Sequence, residues 1–139
     1  MTRELTIRPA RREELGAVLD LWRSAEAEPT RTDDLESLSG LFERDPGALL
    51  VAEEAGELVG TVIGAFDGWR GSIYRLAVRP DARHRGVAGR LVEAAAHHLD
   101  ELGARRSGAL VHQSNPHASG FWRTTGWEEQ DDWLRFARG

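Results

Sequence analysis

Apolar and polar positions along the chain change period several times, and each change marks an element. Leu5 to Arg8 alternates and is closed by Pro9, the pattern of a half-buried strand. Leu15, Val18, Leu19, Trp22 and Ala25 then recur at helical spacing, predicting a helix from about Arg11 to Glu26, ended by Pro29. A second helix is expected from Thr32 or Asp33 as N-cap, with Leu35, Leu38, Leu41 and Phe42 on one face and Asp45-Pro46-Gly47 as its stop. Leu49 to Glu53, Leu58 to Phe66 and Ile73 to Val78 read as three strands joined by the turns Glu54-Ala55-Gly56-Glu57 and Asp67-Gly68. A long helix follows from about Gly86 to Leu102, burying Val87, Leu91 and Leu99, with Gly103 as its stop. His97 and His98 sit in the middle of that helix and read as surface or edge residues. Ser107 to His112 is predicted as a fifth strand, Pro116 to Thr125 as a short helix and Trp133 to Phe136 as a last strand. The order is β-α-α-β-β-β-α-β-α-β. It implies an α/β fold with a mixed sheet of about six strands and four helices. An antiparallel meander precedes a parallel crossover through the long helix.

Composition narrows the class. At 139 residues, 40% hydrophobic and 29% charged, the chain reads as one globular domain over 1–139 with a single core. No apolar run approaches the ~20 residues of a bilayer span, and MTRELTIRPARREEL lacks the apolar centre of a secretory signal, so no membrane association and a cytoplasmic location are expected. With no cysteine there is no disulfide, thiol nucleophile or cysteine-bound zinc, and no metal is expected. All 18 basic residues are arginine, which excludes lysine Schiff-base chemistry and a P-loop lysine. A net charge of −5 argues against nucleic acid as partner. Yet Arg75, Arg79, Arg83, Arg85 and Arg90 crowd one short stretch, and an acidic body with one basic patch suits a small anionic ligand.

That patch lies in LAVRPDARHRGVAGRL, residues 76–91: an apolar strand, a turn with Pro80, then a small-residue loop opening the long helix. The first N–H groups of a helix have no internal acceptor, and the macrodipole favours negative charge there. Glycine and alanine let a phosphate come close to that backbone, and arginines add attraction and forked hydrogen bonding. Arg83, His84, Arg85, Gly86, Val87, Ala88, Gly89 and Arg90 are therefore the expected cradle for a pyrophosphate.

Arg83-x-x-Gly86-x-Ala88 resembles the R/Q-x-x-G-x-G/A motif of the GCN5-related N-acetyltransferase (GNAT) superfamily, which binds the pyrophosphate of acetyl-CoA. Asn115-x-x-Ala118, followed by Gly126-Trp127, resembles the N-x-x-A…Y-x-x-x-G-F segment of the same superfamily. The order of elements resembles it over nearly the whole chain, with the specific motifs at 76–91 and 111–127. The resemblance implies a wedge between the fourth and fifth strands, where the backbone of Leu76, Ala77 and Val78 pairs with the pantetheine arm. It implies that an N–H near Leu76 or Ala77 polarises the acetyl carbonyl, and that Asn115 caps the short helix and bonds the same arm. The implied reaction is acetyl transfer from acetyl-CoA to a primary amine of a small molecule or peptide, direct because no cysteine is present.

Two positions depart from the superfamily pattern. Trp122 stands where a thiolate-protonating tyrosine is usual, and its indole N–H donates a hydrogen bond without shuttling a proton. Leu110 stands where relatives acting on protein N-termini carry a glutamate base. The substitutes are Tyr74, the only tyrosine, two residues from Leu76 and expected on its sheet face; His112, at the end of the fifth strand; and Ser119, one turn before Trp122. By the same resemblance Trp22, Glu26, Glu28 and Trp69 line the acceptor side, where acids and tryptophan attract and stack a cationic amine. Two rivals stand beside this reading: an acyl-CoA-binding module without turnover, and a nucleotide enzyme using the same loop. A monomer or a homodimer fits equally.

Overall fold

Five of the expected strands and all four expected helices form in the computed structural model, which describes residues 4–25, 27, 29–111 and 116–139. The chain divides into two compact units, one up to Ala109 and one from Leu110 onward. In the first, β1 (Leu5–Pro9), β2 (Leu49–Glu54), β3 (Glu57–Phe66), β4 (Gly71–Val78) and β5 (Ser107–Ala109) lie in sequence order across one sheet. The ladders from β1 to β4 are antiparallel and β4 to β5 is parallel.

The helices of this unit are α1 (Leu15–Ser24), α2 (Leu35–Arg44) and α3 (Val87–Leu102). Period-two alternation along the strands gives each sheet face its own helix layer. Leu49, Val51 and Ile63 join Leu15, Val18, Leu19, Trp22 and Leu38 in one apolar cluster under α1 and α2. Gly60 and Gly64 turn to the other face, where a Cβ would meet Leu91 and Val87 or Ala95 and Leu99 of α3 at 3.0–3.3 Å or just beyond. At Gly71 a Cβ would lie 2.5 Å from Ser107 Oγ and 2.8 Å from Leu99 Cδ1, so any side chain there would make Ser107 and Leu99 shift where β4, β5 and α3 meet.

Helix boundaries follow the signals with small shifts. Asp34, one residue beyond the expected caps, takes the N-cap of α2 and accepts from Ser37 N at 2.7 Å, which holds its carboxyl below the ordinary range. A 3-10 turn, Arg12–Glu14, precedes α1, and Glu14 accepts Arg11 N at 2.8 Å. Gly103, φ +101, closes α3 as expected. His98, read from sequence as a surface or edge residue, lies at the edge of the packing. Its ring is 20% exposed, pairs through Nε2 with Asp45 Oδ2 at 2.7 Å, and fills the space over Gly47.

The second unit holds α4 (Pro116–Arg123) and an irregular tail. The last expected strand, Trp133 to Phe136, does not form: no ladder reaches it, and Trp133, Leu134 and Phe136 are 73–90% exposed. Alternation prepares a strand's faces, but an edge to pair with is required as well. The described sheet therefore has five strands rather than about six. Among the described residues no helix is long and apolar enough to cross a membrane.

Candidate functional site

The strands β4 and β5 pair only through Gly71–Ser107, Ser72–Gly108 and Ile73–Ala109. From Tyr74 to Val78 the β4 edge away from β3 has no ladder partner among the described residues, which opens the expected wedge. Such an edge offers N–H and C=O groups to an extended, amide-bearing ligand.

At the mouth of the wedge β4 carries a bulge. Thr61 pairs with Ala77 and Ile63 with Tyr74, so Val62 faces both Arg75 and Leu76. Arg75 takes the left-handed conformation, φ +52, rare for a residue with a side chain. Its carbonyl accepts from Thr61 Oγ1 at 3.0 Å, and that hydroxyl accepts from Trp22 Nε1 at 2.8 Å. Its guanidinium lies 5.1 Å from the Trp22 ring centroid and grips both carboxylate oxygens of Asp33 in the α1–α2 connection. The bulge changes the phase of the strand. Tyr74 and Ala77, three residues apart, share the face of their partners Ile63 and Thr61, and period two does not relate Tyr74 to Leu76 as the sequence implied. Tyr74 is 48% exposed, and Leu76 is half-buried.

After β4 comes a second 3-10 turn, Pro80–Ala82, and then the loop into α3. His84, φ +64, and Gly86, φ +80, are both left-handed, and Gly86 is the N-cap of α3. Val87 is buried under the sheet, while Ala88 and Gly89 are half-buried; beside Gly86 and Gly89 there is open space where a side chain would lie. No side chain at Gly86 or Gly89 thus obstructs the start of α3, where unpaired N–H groups and the macrodipole favour an anion.

The arginines of the patch have partners within the fold. Arg83 donates from Nε to Val78 O and from Nη2 to Ala25 O, both at 3.1 Å. Arg85 pairs with Glu54 at 3.0 Å, and Arg90 donates to Leu5 O at 3.0 Å. Arg79 holds Asp81 and Glu57, and its hydrogen bonds keep the Asp81 carboxyl below the ordinary range. Arg83, Arg85 and Arg90 each donate to a carbonyl or carboxylate of the fold, because such groups from other segments lie within their reach.

On the acceptor side, Trp22 is 3% exposed, a core residue with its N–H spent on Thr61, so it lines no open pocket. Trp69 is 72% exposed on the β3–β4 turn, where Arg70 covers its ring at 4.3 Å. Asp67 shapes that turn by accepting Arg70 N and Trp69 N, which lowers its pKa. Glu26, Glu28, His112 and Asn115 lie outside the described residues. In the second unit Ser119 is half-buried, and Trp122 meets Trp127 edge-on at 5.1 Å and Phe121 at 5.6 Å. Leu110 is 64% exposed. Asp33, Glu54 and Thr61 were not among the sequence candidates; only Thr61, a lone hydroxyl in an apolar strand and fully buried, carried a signal that could have singled it out.

Comparison with known proteins converges on one family. The model of the "Acetyltransferase (GNAT) family" matches residues 15–127. An acetyltransferase of Pectobacterium atrosepticum is 33% identical over 127 residues, 91% of this chain and 90% of its own length. Among solved structures, the aminoglycoside N-acetyltransferase AAC(6')-Iy in complex with the bisubstrate analog CoA-S-monomethyl-acetylneamine superposes with a TM-score of 0.78 at 18% identity, over 98% of this chain and 99% of that one. The PaiA N-acetyltransferase of Thermoplasma acidophilum in complex with coenzyme A gives 0.78 at 16% identity, over 92% of both chains.

Proposed function

Because this chain belongs to the acetyltransferase (GNAT) family, we propose that it moves an acetyl group from acetyl-CoA directly to a primary amine of a small molecule or peptide. The observation that carries this reading is the β4 edge beyond Ile73, without a ladder partner among the described residues, running toward the open, left-handed Gly86 at the start of α3. A linear ligand with amides at one end and a pyrophosphate at the other fits that pair of surfaces. The bisubstrate analog CoA-S-monomethyl-acetylneamine held by one structural neighbour supports acetyl-CoA and an amine as the two substrates.

Acetyl-CoA supplies an activated thioester with a weakly basic leaving thiolate. In this reading the backbone of Leu76, Ala77 and Val78 orients the pantetheine arm, and Asn115 and Trp122 are further cofactor-binding candidates. An N–H near Leu76 or Ala77 faces the developing oxyanion. The N–H groups around Gly86, Val87, Ala88 and Gly89 hold the pyrophosphate. Arg83, Arg85 and Arg90 shape the loop, and His84 stands exposed beside it. Tyr74, His112 and Ser119 are the groups proposed to move protons. Glu26, Glu28 and Trp69 are proposed to draw in the cationic amine. A positioned acid or base contributes ~10²–10⁴-fold, whereas orientation alone supplies ~7–11 kcal/mol, so transfer proceeds without the usual tyrosine.

Both units form one acetyltransferase domain in this proposal, since the family match spans 15–127, and the protein works in the cytoplasm as a monomer or homodimer. Calorimetric titration with acetyl-CoA, with ATP and NAD as controls, tests the reading. Selective micromolar binding is expected, and no binding by the folded protein overturns it. A second reading, acyl-CoA binding without turnover, is favoured by Leu110 and Trp122 at the usual base and acid positions. Acetyl transfer to any member of a broad amine panel excludes it.

A further inference from the structure

We propose that Glu54 is a positioning residue for the cofactor, holding the pyrophosphate loop in its binding shape through Arg85, and that Arg85 is therefore a brace rather than a phosphate ligand. This rests on the acetyl-CoA reading above.

Glu54 ends β2 and is 7% exposed, one of two polar or charged side chains buried among the described residues. It sits on the hairpin turn where Ala55, φ +52, and Gly56, φ +80, are both left-handed, so its backbone is pinned by the turn and by pairing with Leu5 and Glu57. From 31 residues away Arg85 Nη1 reaches both of its carboxylate oxygens, at 3.0 and 3.1 Å. A carboxylate so withdrawn from water needs a cation or hydrogen-bond donors, and Arg85 supplies a cation to it.

The other end of the pair is where the shape matters. Arg85 stands between the left-handed His84 and Gly86, in a loop whose N–H groups can gather round an anion only while those turns persist. Glycine adopts that conformation readily, but His84 does not. Tying the residue between them to a rigid sheet end opposes the relaxation of His84. The partner separates brace from ligand: Arg85 Nη1 donates to a buried carboxylate and neutralises Glu54, which would otherwise repel phosphate.

The two roles predict opposite signs. If Arg85 were a phosphate ligand held back by Glu54, Glu54→Gln would release it and tighten acetyl-CoA binding. As a brace, Glu54→Gln weakens binding by about tenfold while the near-isosteric side chain leaves the protein folded. Arg85→Gln then has a similar effect, and the Glu54→Gln/Arg85→Gln double variant binds no worse than either alone, because each acts through the other. Titration calorimetry with acetyl-CoA reads these affinities, and thermal unfolding checks each fold. Amide exchange in the ligand-free protein adds a readout independent of affinity: faster exchange over residues 84–89 in Glu54→Gln is expected. Tighter or unchanged binding in Glu54→Gln, additive losses in the double variant, or unchanged exchange overturns the brace alone. A folded wild type that takes no acetyl-CoA overturns the proposed function and this role with it.

Discussion

Arg75 shows how one residue can carry several constraints that no single contact explains. A left-handed conformation in a strand is ordinarily left to glycine, and an L-residue there costs ~1–2 kcal/mol. The chain keeps arginine because its side chain latches the α1–α2 connection through Asp33 and covers Trp22, while its carbonyl is held by Thr61. Arg75→Ala loses the latch and keeps the strain; Arg75→Gly loses the latch and sheds the strain. Urea denaturation should therefore find both less stable than wild type, with the glycine variant the better of the two by roughly 0.5–1 kcal/mol. The reverse order would mean that the bulge is not left-handed in solution. Gly89 tests the cradle at the same scale. A carboxylate in the first turn suits the macrodipole, and no atom lies within 4 Å of where its Cβ would start. Gly89→Glu should melt no lower than wild type yet lose acetyl-CoA binding by at least about tenfold, through repulsion of phosphate. Retained binding would move the pyrophosphate elsewhere.

Between elements, one polar tie joins β1, the start of α1 and β2. Arg8 forks onto Glu14 with both bonds at 2.8 Å and reaches Glu53 at 3.1 Å. The pair Arg8–Glu14 is only 16% exposed on each side, and the Arg8 hydrogen bond is the main cause that lowers the Glu14 pKa to about 2. A carboxyl depressed by folding stabilises the protein above its unfolded pKa and loses that contribution as pH falls through its folded pKa. Stability should thus decline between about pH 4.5 and pH 2, by on the order of 2–3 kcal/mol from this group. In denaturant midpoints measured across that window, Glu14→Gln should show a shallower slope; an unchanged slope would assign the acid sensitivity to other carboxyls. This scale also bounds what periodicity can reveal. Leu15 to Ala25 announced α1 because five apolar residues keep one phase. The β4 bulge gave no such notice, since Arg75 carries neither glycine nor proline as a mark. Trp133 to Phe136 had the alternation of a strand and no ladder to join.

At the scale of the molecule, a ligand that binds only the folded state raises its stability by mass action. Acetyl-CoA at a hundred times its dissociation constant should add ~2.7 kcal/mol, seen as a raised melting temperature that ATP and NAD do not reproduce. An equal shift with all three would make the loop a general phosphate site. The order of the first five strands and the four helices, and a helix opening near Gly86, were legible in the amino-acid sequence, because periods and turns are properties of a few neighbouring residues; the wedge beyond Ile73 was implied only by the family resemblance. Where the arginines point was not legible. Sequence placed Arg83, Arg85 and Arg90 beside an anion site; tertiary structure turned them toward Val78 O and Ala25 O, toward Glu54, and toward Leu5 O. A long cationic side chain goes to whichever carbonyl or carboxylate folding brings within its reach, and those partners lie as far as 85 residues away along the chain.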